Sequence, residues 1–206
     1  MRFSLGKAAV RVSPLYLFLL LCISVFDYTG ILLQAFFASL LHEMGHLLCL
    51  LLQRRPVCAL DFTVAGIRLD RGTDYCPSPA DIPVYLAGPA VNLAIGLGAL
   101  WLLQCRFALH LATLALIHLL LGAFNLLPIS LLDGGQVLLI FLREKLPPRR
   151  AERLYWAFSF WTSLALLGAG LLLFAATRQN GTLALCGGYL FYSVVRGRQR
   201  EEGRRR

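Results

Sequence analysis

Charge is what this sequence has least of. Only 15% of its 206 residues are charged, and just 11 of those are acidic, too few to clothe a soluble domain of this size. Other absences narrow the reading further. The six cysteines, at positions 22, 49, 58, 76, 105 and 186, never fall at the spacing of a zinc knuckle or a redox pair. They read as small buried residues, reduced at 58 and 76. No low-complexity linker is long enough to divide the chain into separate domains, and no internal repeat is visible. No small-x-small cleavage site follows the first apolar stretch, which favours a retained first hairpin over a removable secretory signal. The basic tail RGRQREEGRRR has no interleaved aromatics, which argues against nucleic acid as a partner.

What remains is apolar. Hydrophobic residues make up 58% of the chain, and its mean hydropathy is +0.67. Apolar runs at about 14–26, 31–53, 82–103, 107–127, 154–176 and 182–195 predict an all-α polytopic membrane protein with about six transmembrane helices. A six-span chain with a cytoplasmic N-terminus would carry 18 of its basic residues inside and only two, Arg106 and Arg178, outside. That asymmetry fits the positive-inside pattern and puts both termini in the cytoplasm. The single long break in hydrophobicity, 54–81, contains CALDFTVAGIRLD. Its rough alternation about Ala65-Gly66 predicts a short cytoplasmic β-hairpin between the second and third helices. That hairpin is either a plain connection or an edge to which a substrate strand could pair. The expected organisation is one intramembrane domain over 1–195 with a tail, 196–206, beside anionic headgroups.

Against this background the run LLHEMGHLLCLLL stands out. Residues four apart share a helix face, so His42 and His46 project side by side and can grip one metal ion. Glu43 lies about a quarter-turn round, where its carboxylate can face a water. With four histidines and five glutamates in the chain, an H-E-x-x-H match by chance has odds of roughly 1 in 700, so coincidence explains it poorly. Gln34, Ala38, His42, His46, Cys49 and Gln53 form one small or polar stripe, while Phe36, Phe37, Leu40, Leu41, Leu47, Leu48 and Leu51 cover the other side. Histidines satisfied by helix-helix hydrogen bonds would account for one imidazole, but less well for two and a glutamate on one stripe.

Zinc needs a third protein ligand and leaves a fourth position for water. Cys49, His110, His118 and the acids are the candidates. Asp133 suggests itself because FNLLPISLLDGGQ sets it after a helix-ending proline and before the pair Gly134-Gly135, read as flexible. His118 sits on the helical stripe of Asn125 and could face the same interior or make a packing hydrogen bond. The glycines of AIGLGAL and LLGAGLL read as helix-packing positions, and GGQVLLIFLREKL as a short interfacial helix stopped by PPRR.

Taken together, HEMGH in an early helix, AGPAVN at Ala87–Asn92 and NLLPISLLDGG at Asn125–Gly135 resemble the site-2 protease family of intramembrane zinc metalloproteases. They most resemble its compact bacterial subgroup typified by stage IV sporulation protein FB, over about 12–195. The resemblance implies one zinc per chain held by His42, His46 and Asp133, with Glu43 as general base. It implies that Asn125 contacts substrate near the active site, with Gly88, Pro89 and Asn92 as further substrate-binding positions. Where the family often has proline before Leu-Asp-Gly, this chain has Leu131, which implies a less rigid loop. The nucleotide-sensing domain that follows the membrane part of the sporulation protein is not expected here.

The expected chemistry is peptide hydrolysis by an activated water near the cytoplasmic face, on an unwound substrate segment. Expected partners are a membrane-tethered protein substrate, such as a transcription or sigma factor precursor, a regulatory membrane protein and the lipid bilayer of a bacterial cell. Two rivals remain: an inactive protease-like scaffold, and a transporter with an ion path of His and Asp.

Overall fold

The structure is a computed structural model that describes residues 2–5, 8–12, 27–54, 59–63, 66–70, 78–105, 108–178 and 181–204. Among these are six α-helices, a short 3-10 turn and four strands. The segment at about 14–26, expected as the first span, lies outside the described residues. The chain divides into two compact units, Met1–Pro77 with Pro83–Ala123 and Ser78–Ile82 with Phe124–Arg206.

The first unit holds a four-stranded sheet in the order β1-β2-β3-β4. Strands β1 (Arg2–Leu5) and β2 (Ala8–Val12) pair antiparallel, β2 runs parallel to β3 (Ala59–Thr63), and β3 pairs antiparallel with β4 (Gly66–Asp70). The all-α expectation therefore needs correcting. The segment after the HEMGH helix contributes two strands to a sheet whose other half comes from the N-terminus. Strands of four and five residues give too short a pattern to stand out beside runs of twenty apolar residues.

Helix α1 (Ile31–Leu52) carries HEMGH. Its start is tied by Asp27, whose carboxylate accepts from the Leu33 N–H at 2.8 Å and from the Thr29 hydroxyl at 3.0 Å. This satisfies one of the donors that every helix N-terminus leaves open. The two sides of α1 sort as its sequence pattern predicts. Ala38, His42, Gly45 and His46 are buried, whereas Phe37, Leu41, Leu48 and Leu51 are exposed, as suits a helix facing lipid.

Helix α2 (Ile82–Cys105) grows out of the 3-10 turn Pro79–Asp81. There Asp81 accepts from both the backbone N–H and the hydroxyl of Ser78, at 2.7 and 3.0 Å, in a capping box with proline at the first turn. Helix α3 (Leu109–Asn125) follows.

The second unit holds α4 (Asp133–Lys145), α5 (Pro148–Thr177) and α6 (Thr182–Arg204). Pro147 caps α5 and Pro148 opens it, so the PPRR stop is also the next helix start. Two apolar clusters form this core: Leu139, Leu142, Ala151 and Tyr155 between α4 and α5, and Ile129 with Leu190 and Val194 on α6. Gly170 and Gly187 bring the α5 and α6 backbones together, since a Cβ on Gly187 would lie 2.7 Å from the Leu167 backbone.

Three of the described helical stretches are long and apolar enough to cross a membrane: Ile31–Leu52, Pro79–Cys105 and Pro148–Thr177. Three spans are thereby supported among the described residues, and the count of six is not confirmed. Helix α3 has 17 residues, about 25 Å of helix at 1.5 Å per residue, short of a hydrocarbon core of roughly 30 Å. Helix α6 runs from an apolar start into the basic tail without a break.

Candidate metal centre

The two histidines of α1 face each other across one turn. Their Nε2 atoms are 3.1 Å apart, and the ring planes meet at 82°. Both rings are buried, 5% and 6% exposed. Two nitrogens sharing a tetrahedral zinc at about 2.0–2.1 Å lie roughly 3.3 Å apart, so the pair is spaced as such an ion requires. His46 Nδ1 lies 2.6 Å from the Val84 carbonyl. A carbonyl can only accept, so the ring proton sits on Nδ1 and the Nε2 lone pair is left for a metal. Pro89, inside α2, removes one donor from the helix ladder in the turn that follows this carbonyl.

Gly88 makes room for the pair. A Cβ built there would overlap His46 Nε2 and stand 2.9 Å from His42 Cε1. The concavity over the two nitrogens thus exists because residue 88 has no side chain. The neighbouring Asn92 is fully buried; its amide nitrogen lies 3.2 Å from His42 Nδ1 and its amide oxygen 3.1 Å from Nδ1 of the buried His118. Gly88 and Asn92, expected as substrate positions, therefore stand against the histidine rings. Pro89 is buried within α2.

Glu43 is half-buried on α1, beside His42. Asn125 is the last residue of α3, and Asp133 the first of α4, where the helix dipole favours a carboxylate. The loop between them is held rather than loose. Ile129 is fully buried, and the Ser130 carbonyl accepts from the Gln136 amide at 2.8 Å and from the Tyr155 hydroxyl at 3.4 Å. The pair Gly134-Gly135 belongs to the first turn of α4. A Cβ on either would overlap a main-chain carbonyl, of Leu126 or of Ile129, so close approach and not flexibility selects glycine there.

His42, His46 and Asp133 form a group able to hold a metal ion, one ligand atom of each lying within 4.8 Å of the others. Two imidazoles and a carboxylate suit zinc and leave a position open. The other candidates for third ligand are employed elsewhere. Cys49 Sγ accepts from the Gln53 amide at 3.6 Å, His118 is turned to Asn92, and His110 is exposed in the first turn of α3. Gln34, at the other end of the polar stripe, accepts from the Thr113 hydroxyl at 3.0 Å. The Val84 carbonyl and the Asn92–His118 bridge were not foreseen, although AGPAVN and His118 had each been noticed separately.

Comparison with known proteins agrees with this chemistry. The model of peptidase family M50 matches residues 103–166. The chain is 28% identical over 168 residues to zinc metalloprotease MJ0392 of Methanocaldococcus jannaschii, an alignment covering 77% of this chain and 46% of that protein. The chain thus spans about half the length of this curated relative. The solved site-2 protease from Methanocaldococcus jannaschii shares the fold with a TM-score of 0.65, at 23% identity, over 95% of this chain and 94% of that one. Together these likenesses support the M50, or site-2 protease, family and a membrane-embedded metalloprotease fold.

Proposed function

We propose that the chain is an intramembrane zinc metalloprotease of the site-2 type. It hydrolyses a peptide bond of membrane-tethered protein substrates near the cytoplasmic face of a bacterial cell membrane, with both of its own termini cytoplasmic. The observation that carries the reading is the His42, His46 and Asp133 group, with Glu43 next in sequence to one of its members.

When bound, zinc would polarise the scissile carbonyl and make a water acidic enough to react near neutral pH. His42 and His46 would hold it through ring nitrogens, and Asp133 through its carboxylate. Glu43 takes the proton from the attacking water on a carboxylate oxygen and returns it to the leaving amine. Asn125 contacts the substrate near the scissile bond. The substrate must be extended to offer its carbonyl, and pairing with the edge of β4 is the route by which it would be held. A regulatory membrane protein and a role in regulated proteolysis extend the same reading. The motifs at 42–46, 87–92 and 125–135 keep the stage IV sporulation protein FB type as the proposed subgroup.

The metal count tests this directly. Native chain in detergent should hold one zinc, and Asp133→Ala should lose tight binding while staying folded. Full occupancy of Asp133→Ala would remove Asp133 from the ligand set.

A further inference from the structure

The hydrolytic scheme makes no use of two buried polar groups, Asn92 and His118, 0% and 1% exposed. They form a chain with His42: His118 Nδ1 to the Asn92 amide at 3.1 Å, and that amide to His42 Nδ1 at 3.2 Å. Burying an amide and an imidazole among apolar helices is costly unless each is paired. Here the pairing runs to one of the two histidines facing the metal position.

An imidazole that gives its Nε2 lone pair to a metal carries its proton on Nδ1. The partner of His42 Nδ1 must then be an acceptor, as the Val84 carbonyl is for His46. Asn92 offers either character. With its NH2 toward His42, as the structure has it, the amide donates to Nδ1 and the ring proton of His42 is driven to Nε2. A half-turn of the amide exchanges its two ends without moving the chain. The carbonyl oxygen then accepts from His42 Nδ1–H, and Nε2 is free to bind. His118 decides between the two senses. Protonated on Nδ1, it draws the amide oxygen to itself. Protonated on Nε2, it accepts from the amide NH2 and leaves the oxygen to His42.

We propose that Asn92, steered by the tautomer of His118, is a positioning residue that sets which nitrogen of His42 carries the proton, and so whether His42 can bind zinc. The inference rests on the metalloprotease reading and adds an outer pair of residues to it. Outer partners of metal-binding histidines typically change affinity by about 10–100-fold.

The test is zinc affinity, measured by competition with a chromophoric chelator on the full chain in detergent, with folding checked by gel filtration. Asn92→Asp, which can only accept from His42, should bind zinc at least as tightly as native chain, and Asn92→Leu about 10–100-fold more weakly. His118→Phe, which releases the amide oxygen that His118 holds away from His42, should tighten binding, by up to about tenfold, in the native background. In the Asn92→Asp background, where no amide remains to be turned, it should change nothing. An equal change in both backgrounds, or in neither, overturns the relay even if Asn92→Leu fails to fold. His42→Ala tells the two readings apart: if it binds zinc as native chain does, the metal reading falls and the relay with it. Tight native binding lost in His42→Ala but untouched in folded Asn92→Leu overturns the relay alone.

Discussion

The two units bury different things. In the first, His42, His46, Asn92 and His118 are buried, linked ring to amide to ring, beside apolar residues such as Leu50 and Val84. The second buries Asp81, Ser159 and Ser163, but Ile129, Leu139, Leu142, Tyr155, Leu190 and Val194 dominate it, and both apolar clusters found among the described residues lie there. Within a bilayer, leucine on leucine gains little that lipid does not already offer, so close packing and hydrogen bonding have to hold helices together. The second unit relies on packing, while the first spends its interior on groups that are worth burying only if they do chemistry. Substitutions among the buried polar groups of the first unit should therefore disturb zinc and catalysis, and those in the apolar clusters of the second should disturb stability alone.

The largest break in that division is expected at Gly88. Gly88→Ala puts a methyl group into His46 Nε2 and should weaken zinc binding by about 100-fold, the upper end of what disturbing a ligand's surroundings costs; chelator competition measures it. Next comes Leu190→Ala, 4% exposed on α6. It should lower stability by about 2 kcal/mol, the small end for such a truncation because the unfolded helices remain among lipid tails. Thermal unfolding in detergent should show the loss, with zinc affinity of the folded fraction unchanged. A change of zinc affinity there would erase the distinction between the units.

The smallest effect belongs to Asp27. Desolvation, the largest single influence, works to raise its pKa, but hydrogen bonds from the Leu33 N–H, the Thr29 hydroxyl and the N–H groups of Gly30 and Thr29 together hold it below the ordinary value. A lowered folded pKa stabilises the chain above the unfolded pKa of about 4. That contribution fades as pH falls through the folded value. The melting-temperature difference between native chain and Asp27→Asn should accordingly be small and steady above about pH 5 and vanish in stronger acid.

Much of the candidate site was legible because charge is so rare in this chain. Two histidines and a glutamate inside an apolar run can be read from spacing alone, and the buried side of α1 is the stripe that spacing defined. Asp133 could be nominated by its setting, but the reason for the glycines beside it could not. A glycine pair reads alike whether it serves a hinge or a helix start pressed against carbonyls. The Asn92–His118 bridge was beyond reach, because periodicity gives the face of one helix and not which face of another opposes it. Helix ends were also hidden: apolarity marks where lipid would lie, whereas α5 begins six residues earlier, with the polar run from Pro148, and α6 continues through its arginines. The strand at Ala8–Val12 pairs with residues fifty positions away, which no local pattern announces.

The most direct test of the central claim is cleavage of a membrane-tethered substrate, reconstituted with native chain or with Glu43→Gln in the same lipid, with bound zinc measured in both. The account predicts equal zinc and a loss of cleavage of about 100-fold or more in the variant. Equal zinc with undiminished cleavage would contradict it.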